Sequence, residues 1–212
     1  MEEVKAFNRA AQEYDKWFEE HADWFSSELE ALKQAVPKTG KGIEIGVGTG
    51  RFAGELGIET GVEPSEKMAA IASKRGIRVF QGYAEDLPVP DLSFDYTLMV
   101  TVDCFLQDVA KAFKEARRIT KPGGAIIIGM IDKSSPLGRK YQEHKKDNPF
   151  YRSASFHDVE EITNLLEKAG FQNFSFWQTL VNTEEEVLEK PIKGYGEGGF
   201  VVIKAEKKIS NL

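Results

Sequence analysis

The chain has little of several things, and each shortage closes off a class of function. Its 212 residues include one cysteine, Cys104, so no intramolecular disulfide, CxxC zinc site or cysteine-rich cluster is available. Three histidines, His21, His144 and His157, are too few and too scattered to propose a metal site. Acidic residues outnumber basic ones by 34 to 28, for a formal charge of −6. That balance counts against nucleic acid as the main partner, because phosphate binding usually leaves a basic surface. No window approaches the roughly 18 consecutive apolar residues of a membrane span. The charged start Met1-Glu2-Glu3-Val4-Lys5 lacks the apolar core of a signal peptide. A cytoplasmic protein is expected. No repeat, low-complexity tract or linker divides the chain, so residues 1–212 read as one domain.

What remains is an ordinary globular composition, 41% hydrophobic and 29% charged, on a chain long enough for a two-sided core. The first 36 residues read as helical. Phe7, Ala11, Tyr14, Phe18, Phe25, Leu29 and Leu32 form one apolar stripe, and Trp17, His21 and Trp24 a second. One stripe suffices to dock a helix, so the second suggests that part of this segment covers a ligand pocket. After Pro37–Gly40, short apolar runs at 42–47, 58–62, 77–80, 96–100 and 125–131 alternate with helical stretches at 51–56, 65–74 and 108–119. Residues 132–156 are polar and lack a sheet-like run; a helix starting near Ser155, with Asp158 three positions later completing a capping box, ends at Gly170. Runs at 171–180 and 199–205 close the chain. The alternation predicts an α/β fold. The expected architecture is a Rossmann-like open sheet of about seven strands, mostly parallel with an antiparallel C-terminal hairpin strand, and helices on both faces.

The most informative stretch is Glu44-Ile45-Gly46-Val47-Gly48-Thr49-Gly50, which follows a strand and opens a helix. Glycines there let the chain turn tightly and let a ligand approach the backbone. The third glycine follows the second by two positions, where the dinucleotide fingerprint GxGxxG needs three. Four further landmarks follow in order: Gly61-Val62-Glu63-Pro64-Ser65, Gln81–Pro88, Phe94-Asp95-Tyr96, and Arg117–Gly124 with its Lys121-Pro122-Gly123-Gly124 turn. Together these resemble class I S-adenosylmethionine-dependent methyltransferases, whose first motif is ExGxGxG. Within that class the chain is similar to the small-molecule branch that includes ubiquinone/menaquinone-type methyltransferases. The resemblance is strongest over residues 40–131.

The resemblance implies S-adenosylmethionine as cofactor, S-adenosylhomocysteine as product and a small-molecule methyl acceptor. Glu63 would accept both ribose hydroxyls, having two carboxylate oxygens for two donors. Glu44 would favour the cationic end, directly or through water. Gly46, Val47 and Gly48 would bring backbone groups to the methionine portion. Ala84 and Glu85 would meet the adenine edge, with Met68 and Tyr83 on its faces and Pro64 and Val100 beside the cofactor; Met68 reads equally well as core. Residues 1–36 would form a lid, 40–131 a cofactor-binding half, and 132–212 an acceptor-side half with 132–156 as a cap.

Methyl transfer from a sulfonium mainly needs alignment and exclusion of water, so no catalytic base is required by the chemistry itself. The acceptor should lie beyond the fourth and fifth strands, near Tyr14, Trp17, Asp103, Cys104 and Phe105. Asp103 could orient an amine, act as a base, or simply cap a helix. The basic side chains between 132 and 156, among them Arg139, Lys140 and Arg152, could attract an anionic acceptor or belong to a solvated mixed-charge helix. A nicotinamide-dependent oxidoreductase and a non-catalytic cofactor-binding protein are the alternatives.

Overall fold

The short apolar runs become the strands of one sheet in the computed structural model, which describes residues 2–182 and 184–209. Strands β1 (Gly42–Ile45), β2 (Thr60–Glu63), β3 (Arg78–Gln81), β4 (Phe94–Val100) and β5 (Thr120–Ile131) pair in parallel. Helices α3 (Arg51–Leu56), α4 (Glu66–Lys74) and α5 (Val109–Ile119) supply the crossovers that parallel pairing requires. Strands β6 (Phe171–Thr179), β7 (Ile192–Lys193) and β8 (Phe200–Lys207) add on antiparallel, giving the order β3-β2-β1-β4-β5-β8-β6-β7.

Alternate strand residues feed two cores, as the pleat demands. Met99, Ile126 and Ile128 face Phe113 and Ile119 of α5 and Ile162 and Leu166 of α7 (Val159–Ala169). Leu98, Val100 and Ile127 face the other way, onto Leu29 and Leu32 of α2 (Ala22–Ala35) and Phe52 of α3. The order reverses between β1 and β4, which puts a crevice at the C-terminal ends of β1, β2 and β4, where open α/β sheets hold ligands. Among the described residues no helix is long and apolar enough to cross a membrane.

The structure corrects or refines the sequence reading in four places. The sheet has eight strands, because two residues of the 183–198 link pair Ile192 with Gln178 and Lys193 with Trp177. Two residues between Pro191 and Gly194 are too few to leave an alternating pattern. The N-terminal segment is two helices, α1 (Glu2–Glu20) and α2, joined at His21, and α1 is kinked at Ala10 (φ −119°, ψ 24°). The Lys121–Gly124 turn lies within β5 as a bulge, since Phe94 pairs with Thr120 and Tyr96 with Ala125. Asp158, not Ser155, caps α7, in a reciprocal box with Glu161; the Ser155 amide donates instead to the Cys104 carbonyl at 2.8 Å. Residues 132–156 contain the expected mixed-charge helix, α6 (Pro136–His144), started by the Ser135 side chain with Pro136 in the first turn.

Candidate active site

The loop after β1 turns back on itself because Gly46 and Gly48 take positive φ, +72° and +55°. The amides of Gly46 and Val47 both donate to the Val62 carbonyl, at 2.8 and 3.0 Å, tying the turn to β2. A side chain on Gly46 would strike Val102 Cγ2 at 2.5 Å, so that position belongs to packing. One on Gly48 would meet nothing closer than Met68 Cε at 3.7 Å. The open space it would enter is a groove of about 760 Å³, part of it open to solvent.

Gly46, Gly48, Glu63, Pro64 and Met68 line one side of this groove. Tyr83, Ala84, Glu85, Val100 and Phe105 line it further on. Glu63 ends β2 and is buried; its carboxylate accepts the Gly48 amide at 3.0 Å and the Ser65 amide at 2.8 Å. Burial pushes its pKa up to about 7, against the pull of those two amides. Glu85 accepts the Gln107 amide at 2.9 Å, which anchors the approach to α5. Below the groove, Glu44, Val47, Arg51 and Phe52 bound a narrow recess that opens onto Gly46 and Gly48. Glu44 is buried and its Oε2 has no hydrogen-bond partner among the described residues. Burial and the nearby Glu63 push its pKa well up, only partly countered by a backbone amide.

A second cavity, of about 600 Å³ including its opening to solvent, adjoins the groove across Tyr14 and Thr101. Its wall combines Tyr14, Trp17 and Phe18 of α1 with Glu28 of α2. Tyr141 of α6 and Asn148, Phe150 and Tyr151 beyond it complete the enclosure. The rings brace one another: Phe150 lies 5.5 Å from both Phe7 and Tyr14, and Tyr151 lies 5.1 Å from Tyr141 and 5.8 Å from Phe105. Tyr14 borders the groove, the recess and the aromatic cavity.

Several expected residues lie elsewhere. Asp103 and Cys104 border neither the groove nor the cavity. A 3₁₀ turn, Asp103–Phe105, directs the buried Asp103 carboxylate to His157 Nδ1 at 3.2 Å, and that contact raises the His157 pKa. His21 packs 4.8 Å from the Trp17 ring and pairs with Glu186 at 2.8 Å, away from the cavity. Arg139, Lys140 and Arg152 do not line it either, and Arg152 Nε donates to the Lys146 carbonyl. The 132–156 segment reaches the cavity through aromatic rings instead of charge.

Asn148, Phe150 and Tyr151 fall within the 132–156 segment expected beside the acceptor, although the sequence singles out none of them, and Glu28 is not among the expected residues. Glu28 did leave a signal: Phe25, Glu28, Leu29 and Leu32 share the i, i+3, i+4, i+7 spacing, which places a carboxylate on a buried stripe.

A family profile describing a methyltransferase domain matches residues 43–128. A solved structure from Thermotoga maritima, an S-adenosylmethionine-dependent methyltransferase described as a possible histamine N-methyltransferase, is 50% identical in sequence. It superposes with a TM-score of 0.93, over 96% of this chain and 99% of that one. The chain belongs to the S-adenosylmethionine-dependent methyltransferases. This methyltransferase is also 47% identical to an uncharacterized protein of Methanocaldococcus jannaschii, across 96% of this chain and all of that protein. It is 26% identical to the demethylmenaquinone methyltransferase of Staphylococcus aureus, over 80% of this chain and 84% of that enzyme. Membership decides between the S-adenosylmethionine and nicotinamide readings in favour of the former. The enzyme's groove, recess and aromatic cavity can therefore be considered as parts of a methyl-transfer site.

Proposed function

We propose that this methyltransferase holds its cofactor in the groove and recess and methylates a small-molecule acceptor in the aromatic cavity. The observation carrying this reading is that the two spaces meet at Tyr14 and Thr101, so one boundary separates donor from acceptor.

The residues present suit the cofactor. Glu44 Oε2 is a buried acceptor without a partner, and Gly48 leaves the space a side chain would fill. In this reading Glu44, Gly46, Val47 and Gly48 hold the amino-acid end. Glu63 accepts the ribose hydroxyls with the lone pairs its two amides leave free. Pro64, Met68, Tyr83, Ala84, Glu85 and Val100 surround the adenosine. When bound, S-adenosylmethionine supplies a methyl group already activated by its positive sulfur, and S-adenosylhomocysteine is the product. The chain's own work is to align the acceptor with that methyl and keep water out, which proximity and a dry aromatic wall accomplish.

We assign residues 1–36 to a lid, 40–131 to the cofactor half, and 132–212 to the acceptor half with 132–156 as its cap. Phe18, Leu29 and Leu32 belong to the core, so the lid function falls to the part of α1 before Ala10, which carries Val4 and Phe7 against the groove. The net negative charge favours a small molecule over nucleic acid, and a lone buried thiol suits a cytoplasmic setting.

Calorimetric titration with S-adenosylmethionine, S-adenosylhomocysteine and NAD tests the reading. Both sulfur compounds should bind and NAD should not. Binding of NAD without response to either sulfur compound would overturn it. A mass-spectrometric screen of acceptors then tests transfer.

A further inference from the structure

The walls of the connected spaces are electrostatically lopsided. Among the described residues they carry four carboxylates, Glu28, Glu44, Glu63 and Glu85, and a single cation, Arg51. Arg51 is already engaged: it pairs with Asp15 at 2.9 Å and with Glu19 at 2.7 Å. Glu63 and Glu85 accept backbone amides, and Glu44 lies in the recess assigned above to the cofactor. Glu28 is different. It belongs to the aromatic cavity alone, is 6% exposed, and no hydrogen bond or ion pair reaches its side chain among the described residues.

A carboxyl group at this depth without a partner is costly to ionise, and a cation bound beside it would offset that cost. The groups facing Glu28 do not neutralise it. The phenols of Tyr14, Tyr141 and Tyr151 are held well above their ordinary pKa, by burial first and by neighbouring negative charge including that of Glu28. They stay neutral, and Trp17, Phe18, Phe52 and Phe150 carry no charge. One acidic group inside a ring of aromatic side chains suits an organic cation, which would draw it into its charged form at one end while ring quadrupoles surround the other.

Resting on the assignment of this cavity to the acceptor, we propose that the acceptor is an amine, held as its ammonium ion by the Glu28 carboxylate within the aromatic wall, and that nitrogen receives the methyl group. Glu28 also serves the proton balance. An ammonium nitrogen has no free lone pair. Moving one N–H proton to the carboxylate leaves a neutral amine with its lone pair available and a neutral carboxyl group. Burial pushes the Glu28 pKa up to about 8, nearer that of an alkylammonium ion, which is about 10. A neutral quinone-like ring would leave the carboxylate buried and unpaired.

Calorimetry on the whole chain saturated with S-adenosylhomocysteine tests this with matched probes. A panel of small arylalkylamines, 2-phenylethylamine among them, is compared with the corresponding alcohols and phenols. At least one amine should bind tenfold or more tighter than its hydroxyl counterpart. Glu28→Gln should remove that preference and leave affinity for S-adenosylhomocysteine within about twofold. The selectivity of the unaltered protein needs no variant, so misfolding of Glu28→Gln cannot protect the proposal. Equal binding of amine and hydroxyl probes, no binding of any amine, or a preference that survives in folded Glu28→Gln would each overturn it. Failure to bind S-adenosylhomocysteine would instead strike the cofactor assignment, which separates the two ideas.

Discussion

The groove and the aromatic cavity share a boundary but are built on opposite plans. The groove is made largely by the sheet's own chain: strand ends, turns with positive φ, and Glu63 tied to two amides, within residues 46–106, with Val4, Phe7 and Tyr14 of α1 laid over it. The cavity is made mainly by side chains from α1, α2, α6 and the loop at 148–151, with Phe52, Thr101 and Ile131, brought from distant parts of the sequence and braced by ring packing. A backbone site is fixed by the fold, so it suits the invariant half of the reaction. A side-chain site can be rewritten residue by residue, so it suits the half that varies between relatives.

That contrast can be broken by substitution. Glu63→Ala should weaken S-adenosylhomocysteine binding by about 100-fold, since a charged acceptor of hydrogen bonds is worth roughly 1.5–3 kcal/mol. Calorimetry would read this, and an unchanged Kd would remove Glu63 from the site. Phe150→Ala combined with Tyr151→Ala should raise KM for the acceptor by about tenfold, the loss of two braced rings, with cofactor affinity nearly unchanged. An equal effect on both ligands would erase the distinction between the two spaces.

Stability gives two finer tests. Glu28, Glu44 and Glu63 all have folded pKa values above those of free carboxyls, so the folded state holds more protons than the unfolded state. The ligand-free enzyme should therefore lose stability as pH rises from about 4.5 toward 8. Glu28→Gln should raise Tm at pH 8 by roughly 3–6 °C, at about 2–4 °C per kcal/mol for a chain of this size, and change it little at pH 5. A flat difference across that range would mean that Glu28 is not a buried charge. The His157–Asp103 contact has the opposite sign. The His157 pKa is raised on folding, so its contribution is full below about pH 6.5 and is lost as pH rises through the folded value. His157→Asn should cost about 1 kcal/mol more at pH 5.5 than at pH 8.5 in denaturant melts. The smallest effect is expected from Arg139→Ala with Lys140→Ala: acceptor KM should stay within about twofold. A large rise would return charge attraction to the cap.

How much could be read from the sequence follows the same division. Positive-φ turns and strand-end acids restrict residue type at fixed spacing, so Glu44–Gly50, Glu63 and the turn around Ala84 could be located in order. Strands β1 to β5 and their helices were legible from period alone. The break at His21 was not, because the apolar stripe continues from Phe18 to Phe25 across it. Asp103 misled because a strand end predicts direction only until the chain turns, and the 3₁₀ turn aims it at His157. Phe150 and Tyr151 stand in a polar stretch without period, and only tertiary packing brings them to Tyr14 and Phe105.

The unpartnered Oε2 of Glu44 and the buried Glu63 beside it have a consequence beyond binding. A ligand that takes the folded form at a hundred times its Kd shifts the folding equilibrium by about 2.7 kcal/mol. Inside a cell, where proteases remove whatever is momentarily unfolded, the standing amount of this enzyme would then follow the supply of methyl donor. Its abundance would rise when the donor is plentiful and fall when it is scarce, without any change in synthesis.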